Sequence, residues 1–255
     1  VVTAKPANTF YLTNHWPQLD RMGFEGSGVV IVCADPARPI TLIMHAFLYY
    51  YTHTPESGFP GRLVFPYTNP AGPPPAEGAE PPAAPARTMR VADPALLTER
   101  DRHRFDMFAQ AGPPSADASW ALAKAVRELK LEGKALGVDE PSLEGALRLR
   151  GFAGRIAPAE DVIRRARLAK SPAELRLMRL AAQANVDAAM AAARQARTLG
   201  TSRKLRAAFY AEAARRGNIG HFMVISGAST ETIDDPLVDG MSVSIDCVST
   251  CRHYH

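Results

Sequence analysis

The chain has 255 residues, 46% hydrophobic and 22% charged, which is ordinary for a soluble globular protein of one large or two modest domains. The net charge of +4 is mild and the arginines are spread along predicted helices rather than massed in a block, so charge gives no case for nucleic-acid binding. No apolar run reaches the roughly 18 residues a membrane span needs, Lys5 and Pro6 interrupt any signal-peptide pattern, and three cysteines (Cys33, Cys247 and Cys251) are too few and too odd in number for a disulfide framework, which points to a reducing cytoplasm.

The chain opens on Val1-Val2-Thr3 as if inside a strand and without an initiator Met, which reads as a cut N-terminus. Lys5-Pro6-Ala7-Asn8 carries turn chemistry, and Phe10-Tyr11-Leu12 is predicted as a short apolar strand. Residues 28–33 (GVVIVC) form a continuous β-branched run, the pattern of a strand buried on both faces. Asp35-Pro36 turns the chain and residues 40–44 (ITLIM) make the next strand, so 28–44 reads as a hairpin. The aromatic stretch 45–54 is expected to pack in the core and at a domain interface, because Tyr buries a large ring and keeps a polar tip. His15, His45 and His53 are scattered here and read as structural or surface histidines, not as a metal cluster.

Residues 69–87 (NPAGPPPAEGAEPPAAPAR) cannot form helix or central sheet. They read as a surface loop inserted in one domain, since an αβ pattern continues on the far side. Pro81-Pro82-x-x-Pro85 alone does not make the loop a proline-rich ligand. Beyond it, residues 89–92 are a short strand candidate and 94–110 read as one helix. A second helix over 119–129 places Trp120, Ala123, Val126 and Leu129 at helical spacing. Residues 134–139 (KALGVD) are a brief strand, 142–149 a helix, and 156–163 lead out. A sheet with helices on its faces accounts for this half, an α/β arrangement.

Ser171-Pro172-Ala173-Glu174 is a capping box with Pro at the first helical position. The helix is predicted to run to Leu199, with Leu175, Met178, Ala181, Ala182 and Ala189 on its apolar face and Gly200 at its end. Thr201 caps a second helix through Arg216, closed by Gly217, and residues 221–226 read as a strand. After the turn pair Asp239-Gly240, Met241, Val243 and Ile245 alternate with Ser242, Ser244 and Asp246, a strand signal that ends on a carboxylate. Burying a carboxylate is costly without compensation. On spacing alone Asp246 is a solvated strand end or the cap of the next turn. Cys247, Cys251, His253 and His255 share strand parity, but along one extended strand they span roughly 25 Å and surround an ion only if the segment turns sharply. They read as small buried thiols and a hairpin rim.

Several of these stretches together resemble the creatinase/prolidase/methionine-aminopeptidase superfamily, the pita-bread metallopeptidases. Asp239-Gly240 with Ser244-Ile245-Asp246 is similar to the strand that carries that family's first metal ligand. Arg167, residues 170–174, Met178, Arg179 and Ala181 match its first catalytic-domain helix. Asn8, Tyr11, Leu12 and Thr13 match a stretch near its start, KALGVD resembles its "riGvE" stretch, and Ser226-Gly227 its "SG" turn.

The resemblance implies a creatinase/prolidase-type N-terminal domain over residues 1–160, a mixed sheet with flanking helices, and the first part of a pita-bread catalytic domain over 161–255. It implies an incomplete chain, cut at both ends and inactive alone, from an Xaa-Pro dipeptidase or aminopeptidase-like, metal-dependent peptide hydrolase. Asp246 would be one ligand of a pair of divalent ions, Mn, Co or Zn, which lower the pKa of a bridging water; a second Asp would follow about eleven residues later, past His255, with a His and two Glu beyond. The substrate would be a peptide or small amide and the oligomer a homodimer through the N-terminal domain. Peptidase members carry a substrate-contacting His about seventeen residues before the metal-binding Asp, where this chain has Ser229; His221 is then the catalytic candidate that remains. Two alternatives stay open: a creatinase-type, metal-independent C–N hydrolase, and a non-catalytic pita-bread binding protein.

Overall fold

The structure is a computed structural model and describes residues 1–15, 28–52, 63–86, 93–227 and 232–255. His53, the strand candidate at 89–92 and Ser229 lie outside the described residues. The chain divides into two compact units, Val1–Arg167 and Leu168–His255.

The first unit is built on a mixed six-stranded sheet. Its elements are β1 (Val2–Thr3), α1 (Pro6–Thr13), β2 (Gly28–Ile31), β3 (Thr41–His45), α2 (Ala46–Thr52), β4 (Leu63–Tyr67), α3 (Glu99–Gln110), α4 (Ala118–Glu128), β5 (Leu136–Val138), α5 (Pro141–Leu149) and β6 (Ile156–Pro158), followed by α6 (Glu160–Leu168). The strand order is β4-β3-β2-β1-β5-β6. The hairpin read at 28–44 is present: β2 and β3 pair antiparallel with Val29 opposite Ile43 and Val30 opposite Leu42. Alternation then sorts the side chains. Val29, Ile31 and Ile43 pack with Leu122, Val126, Leu129, Leu143 and Leu147 of the α4–α5 layer. Val30, Leu42 and Met44 pack on the other face with Leu48 and Tyr49 of α2. Both faces are covered, which is why β2 reads as an unbroken apolar run. The aromatic stretch after β3 is helix, and its Tyr49 and Tyr50 are buried.

Residues 5–12, predicted as a turn and a strand, fold instead as α1. Pro6 suits the first helical turn, where no backbone N–H is needed. The deciding partner is remote. Asp139, just past β5 and buried, accepts from the Thr3 hydroxyl, from the Ala4 amide at 3.0 Å and from the Asn8 side chain at 2.9 Å. The carboxylate ties the end of β1 to the Asn8 side chain in the first turn of α1, while the Asn8 and Thr9 amides pair with the Lys5 carbonyl. Asn14, in the left-handed region at φ 54°, closes the helix by donating to the Phe10 carbonyl at 2.7 Å. Arg167 on α6 donates to the Asn8 side-chain oxygen at 2.9 Å, which extends the polar chain from sheet to helix.

The single helix read over 94–110 is two elements, a 3-10 turn at Pro94–Leu96 and then α3. The break is at Thr98, whose hydroxyl accepts from the Asp101 amide while the Asp101 carboxylate accepts from the Thr98 amide, so a new helix starts there. The Pro-rich excursion returns beside its own start. Ala71 donates to Pro82, Ala84 donates to Asn69, and the Ala116 amide donates to Glu80.

The second unit holds α7 (Pro172–Ala193), α8 (Ala196–Leu199), α9 (Ser202–Arg215), β7 (Ile219–Ile225) and β8 (Ile245–Thr250). The capping box is formed at both ends: Ser171 accepts from the Glu174 amide and Glu174 accepts from the Ser171 amide. The helix does not run unbroken to Leu199; it ends at Ala193, and α8 is a separate turn closed by Gly200 at φ 73°. The buried arc is Ala181, Ala188 and Ala192, while Leu175 and Ala182 face out. With Ala at so many positions, several arcs of the helix are equally apolar, and packing chooses among them. Ala188 and Ala192 of that arc meet Leu205, Phe209 and Ala213 of α9 and Met223 and Ile225 of β7.

Candidate functional site

β7 and β8 pair antiparallel, with Ile225 opposite Ile245, Met223 opposite Cys247 and Val224 opposite Asp246. Directly opposed residues share a face. Met223, Ile225, Ile245 and Cys247 turn inward to α7 and α9. Asp246 and Val224 therefore stand on the other, open face, with Phe222 and Val248 beside them. Asp246 is exposed, and its carboxylate has no hydrogen bond or ion pair among the described residues.

The strand begins later than the alternation suggests. Regular pairing starts at Ile245, so Asp246 is the second residue of β8 rather than the end of a strand begun at Met241. The preceding segment is held against the start of α9, where Ser202 donates to the Asp235 carbonyl and Leu237 to the Gly200 carbonyl, both at 2.8 Å. The chain reaches β7 only when Ser226 donates to Ser244 at 2.9 Å.

His221 lies on β7 at a register irregularity between Gly220 and Phe222, a bulge that re-aims its side chain. Its Nε2 is 2.8 Å from the Thr250 hydroxyl. His221 is three residues along β7 from Val224, the partner of Asp246, a displacement of roughly 10 Å at strand spacing. The two candidates thus share one two-stranded sheet without meeting. His15 is buried, and His45 packs edge-on against Tyr67 with ring centroids 5.3 Å apart, its pKa lowered by burial.

Past β8 the chain makes a two-residue turn. Cys251 and Tyr254 exchange backbone hydrogen bonds at 2.8 and 2.9 Å, with Arg252 at φ 47° and His253 at φ 67°, the two positive values of a type I′ turn. Tyr254 donates to Glu174 at 3.3 Å. Cys247 faces inward, where burial pushes its thiol pKa up. The four Cys and His residues of this segment are not brought together, and among the described residues no three His, Cys, Asp or Glu side chains form a group able to hold a metal ion. Asp246 is one hard oxygen donor; the described residues do not complete a metal site.

Composition and spacing do not single out the polar node behind β8. Asn185 of α7 donates to the Cys247 carbonyl at 3.1 Å and accepts from the Ser249 hydroxyl at 2.8 Å. Asn218, just before β7, donates to the Ser249 hydroxyl at 2.8 Å and to the Ala181 carbonyl at 3.0 Å. The available signal was an Asn four residues past Ala181, on what proves to be the buried arc.

No family model matches the chain, and no curated protein matches it. Solved structures do. The prolidase from Pyrococcus furiosus matches 99% of this chain at a TM-score of 0.62 and 16% identity. The X-Pro aminopeptidase from Thermotoga maritima matches 98% at 0.60 and 13% identity, and the Xaa-Pro dipeptidase from Bacillus anthracis 98% at 0.59 and 15% identity. The match covers 62%, 59% and 56% of those chains respectively, so the chain spans about three-fifths of their length. With its mixed sheet and flanking helices followed by the α7–α9 and β7–β8 unit, the chain has a creatinase/prolidase-type fold.

Proposed function

We propose that this chain is part of an Xaa-Pro dipeptidase or aminopeptidase-like, metal-dependent peptide hydrolase, and that these 255 residues have no peptidase activity by themselves. The observation that carries the reading is Asp246: an exposed carboxylate without a partner among the described residues, on the open face of β7–β8, in a prolidase-type fold. Residues 1–160 would serve as the N-terminal domain and homodimer contact, residues 161–255 as the start of the catalytic domain, in a cytoplasmic protein acting on a peptide or small amide. A pair of divalent ions, Mn, Co or Zn, would supply the activated water, with Asp246 as one oxygen donor among ligands from elsewhere. His221, pinned to Thr250, is the catalytic candidate on the same sheet.

The test is to read the gene past the His255 codon and assay the product. An Asp about eleven residues beyond Asp246, then His and two Glu, together with metal-dependent hydrolysis of Xaa-Pro dipeptides lost in Asp246→Asn, supports the reading. A continuation without those carboxylates moves it to the creatinase-type hydrolase or the binding protein, alternatives that Ser229, standing where peptidase members have His, keeps open. Turnover by the 255-residue chain alone, with clean controls, overturns its proposed inactivity.

A further inference from the structure

We propose that Asn185 is a positioning residue that sets the register of β8 and so decides which face of the sheet Asp246 occupies. The inference rests on the reading of Asp246 given above. Hydrophobicity alone specifies this register weakly. The inward set on β8 is Ile245, Cys247 and Ser249; the outward set is Asp246, Val248 and Thr250. The outward Val248 is larger than the inward Cys247 or Ser249, and Ile245, at the end of the strand, is only half-buried. A slip of one residue exchanges the two sets and carries Asp246 to the inner side.

Polar groups supply the missing specification: the Asp246 carboxylate resists the inner side, and a buried node holds the strand from within. Asn185 grips β8 at two points two residues apart, the Cys247 carbonyl and the Ser249 hydroxyl, from a helix that is itself capped and packed. The Ser249 hydroxyl is used in both directions, donating to Asn185 and accepting from Asn218. Ser249 and Asn218 are buried, so after a slip both would lose partners where water does not replace them. The other hydroxyl of β8, on Thr250, is engaged by His221 on the opposite face. Each hydroxyl of the strand is thus clamped from its own side, and neither exchange of faces leaves both clamps made.

The test reads register directly. Val224 faces outward opposite Asp246, and Cys247 faces inward, so a thiol introduced by Val224→Cys and the Cys247 thiol point apart and cannot bridge. A slip that sets position 224 opposite Cys247 puts both thiols on the open face. In a Cys33→Ser, Cys251→Ser background, Val224→Cys is combined with Asn185→Leu, with Ser249→Ala, or with Leu205→Ala, a core truncation that leaves the node intact, and oxidised with oxidised glutathione. The expected result is a 224–247 disulfide with Asn185→Leu or Ser249→Ala and none with the parent or Leu205→Ala. Without Val224→Cys, Cys247 should react with a thiol reagent at least about tenfold faster in the node variants than in Leu205→Ala at matched stability. If the node variants form no disulfide and their thiol reacts no faster than in Leu205→Ala, the proposal is wrong. Should Asn185→Leu not fold, the milder Ser249→Ala decides. Neither metal nor substrate enters this measurement, so a failure of the peptidase reading and a failure of the register reading appear in different experiments.

Discussion

Removing the Asp139 carboxylate should unfold α1 locally before it disturbs the rest of the first unit. Asp139 gathers three donors: the Thr3 hydroxyl, the Ala4 amide and the Asn8 side chain. Thr3, Asn8 and Asp139 are all buried. In Asp139→Ala each orphaned donor costs about 1 kcal/mol or more, giving a loss of about 3 kcal/mol, toward the upper range for single substitutions. Water entering the space left by the carboxylate would offset part of that. Asp139→Asn tests the chemistry rather than the volume. It keeps one acceptor but turns an N–H toward donors, so it should recover no more than half of the loss. The assay is urea unfolding combined with amide hydrogen exchange, because a chain of two units need not unfold in one step. Exchange should rise first in Pro6–Thr13, before the β2–β3 pair. A loss below about 0.5 kcal/mol in Asp139→Ala, or exchange that rises evenly across the sheet, would refute the idea that this carboxylate is what makes the segment helical.

Ser171→Ala should cost α7 about 1 kcal/mol, read as faster exchange in its first turn. The Ser171 backbone donation holds the Glu174 carboxyl below its ordinary 4.5, so this half of the box, which Ser171→Ala keeps, contributes fully above pH 4.5 and is lost as pH falls through the lowered folded value; first-turn protection should fall in acid in wild type and Ser171→Ala alike, and the difference between them should persist. Gly220→Ala would set a Cβ 2.5 Å from the Tyr210 ring, so it should destabilise the second unit by about 1–2 kcal/mol and shift the His221 ring signals in NMR. Asp246→Asn should leave stability within about 0.5 kcal/mol of wild type by thermal melting, because its carboxylate is exposed and unpartnered among the described residues; a larger loss would assign it a structural role.

Features legible in the sequence are those whose causes lie close together in the chain. Ser171 and Glu174 are three residues apart, and the box they form is present. The β-branched run of β2 and the turn at Asp35-Pro36 sufficed for a hairpin. The features missed depend on distant partners. α1 rests on Asp139, 131 residues beyond Asn8 in the chain, and no local pattern at 5–12 announces it. The face of α7 was misread because alanine is uniform around it, and contact with Leu205 and Phe209 selects Ala188 and Ala192, while Asn218 reaches the backbone at Ala181. In the candidate site, alternation found Asp246 and its parity. It did not find the delay of β8 to Ile245, which comes from Leu237 pairing with Gly200, or the bulge that carries His221 to Thr250.

The shortest strand of the large sheet has a consequence for how the first unit assembles. β1 is two residues long, yet it pairs with both β2 and β5. On one side β2 and β3 are joined by the local loop over residues 32–40; on the other, α5 links β5 to β6. Each is a local structure able to form quickly. Joining them requires Val2 to reach Val138, and closing so long a loop is entropically slow compared with either hairpin or crossover. Loop-closure entropy alone thus predicts two early-forming halves joined late by Val2 and Thr3, an order that pulse-labelled hydrogen exchange during refolding would read. Truncation at this seam would remove the strand that hydrogen-bonds to both halves and leave them joined through the shared α4–α5 core alone.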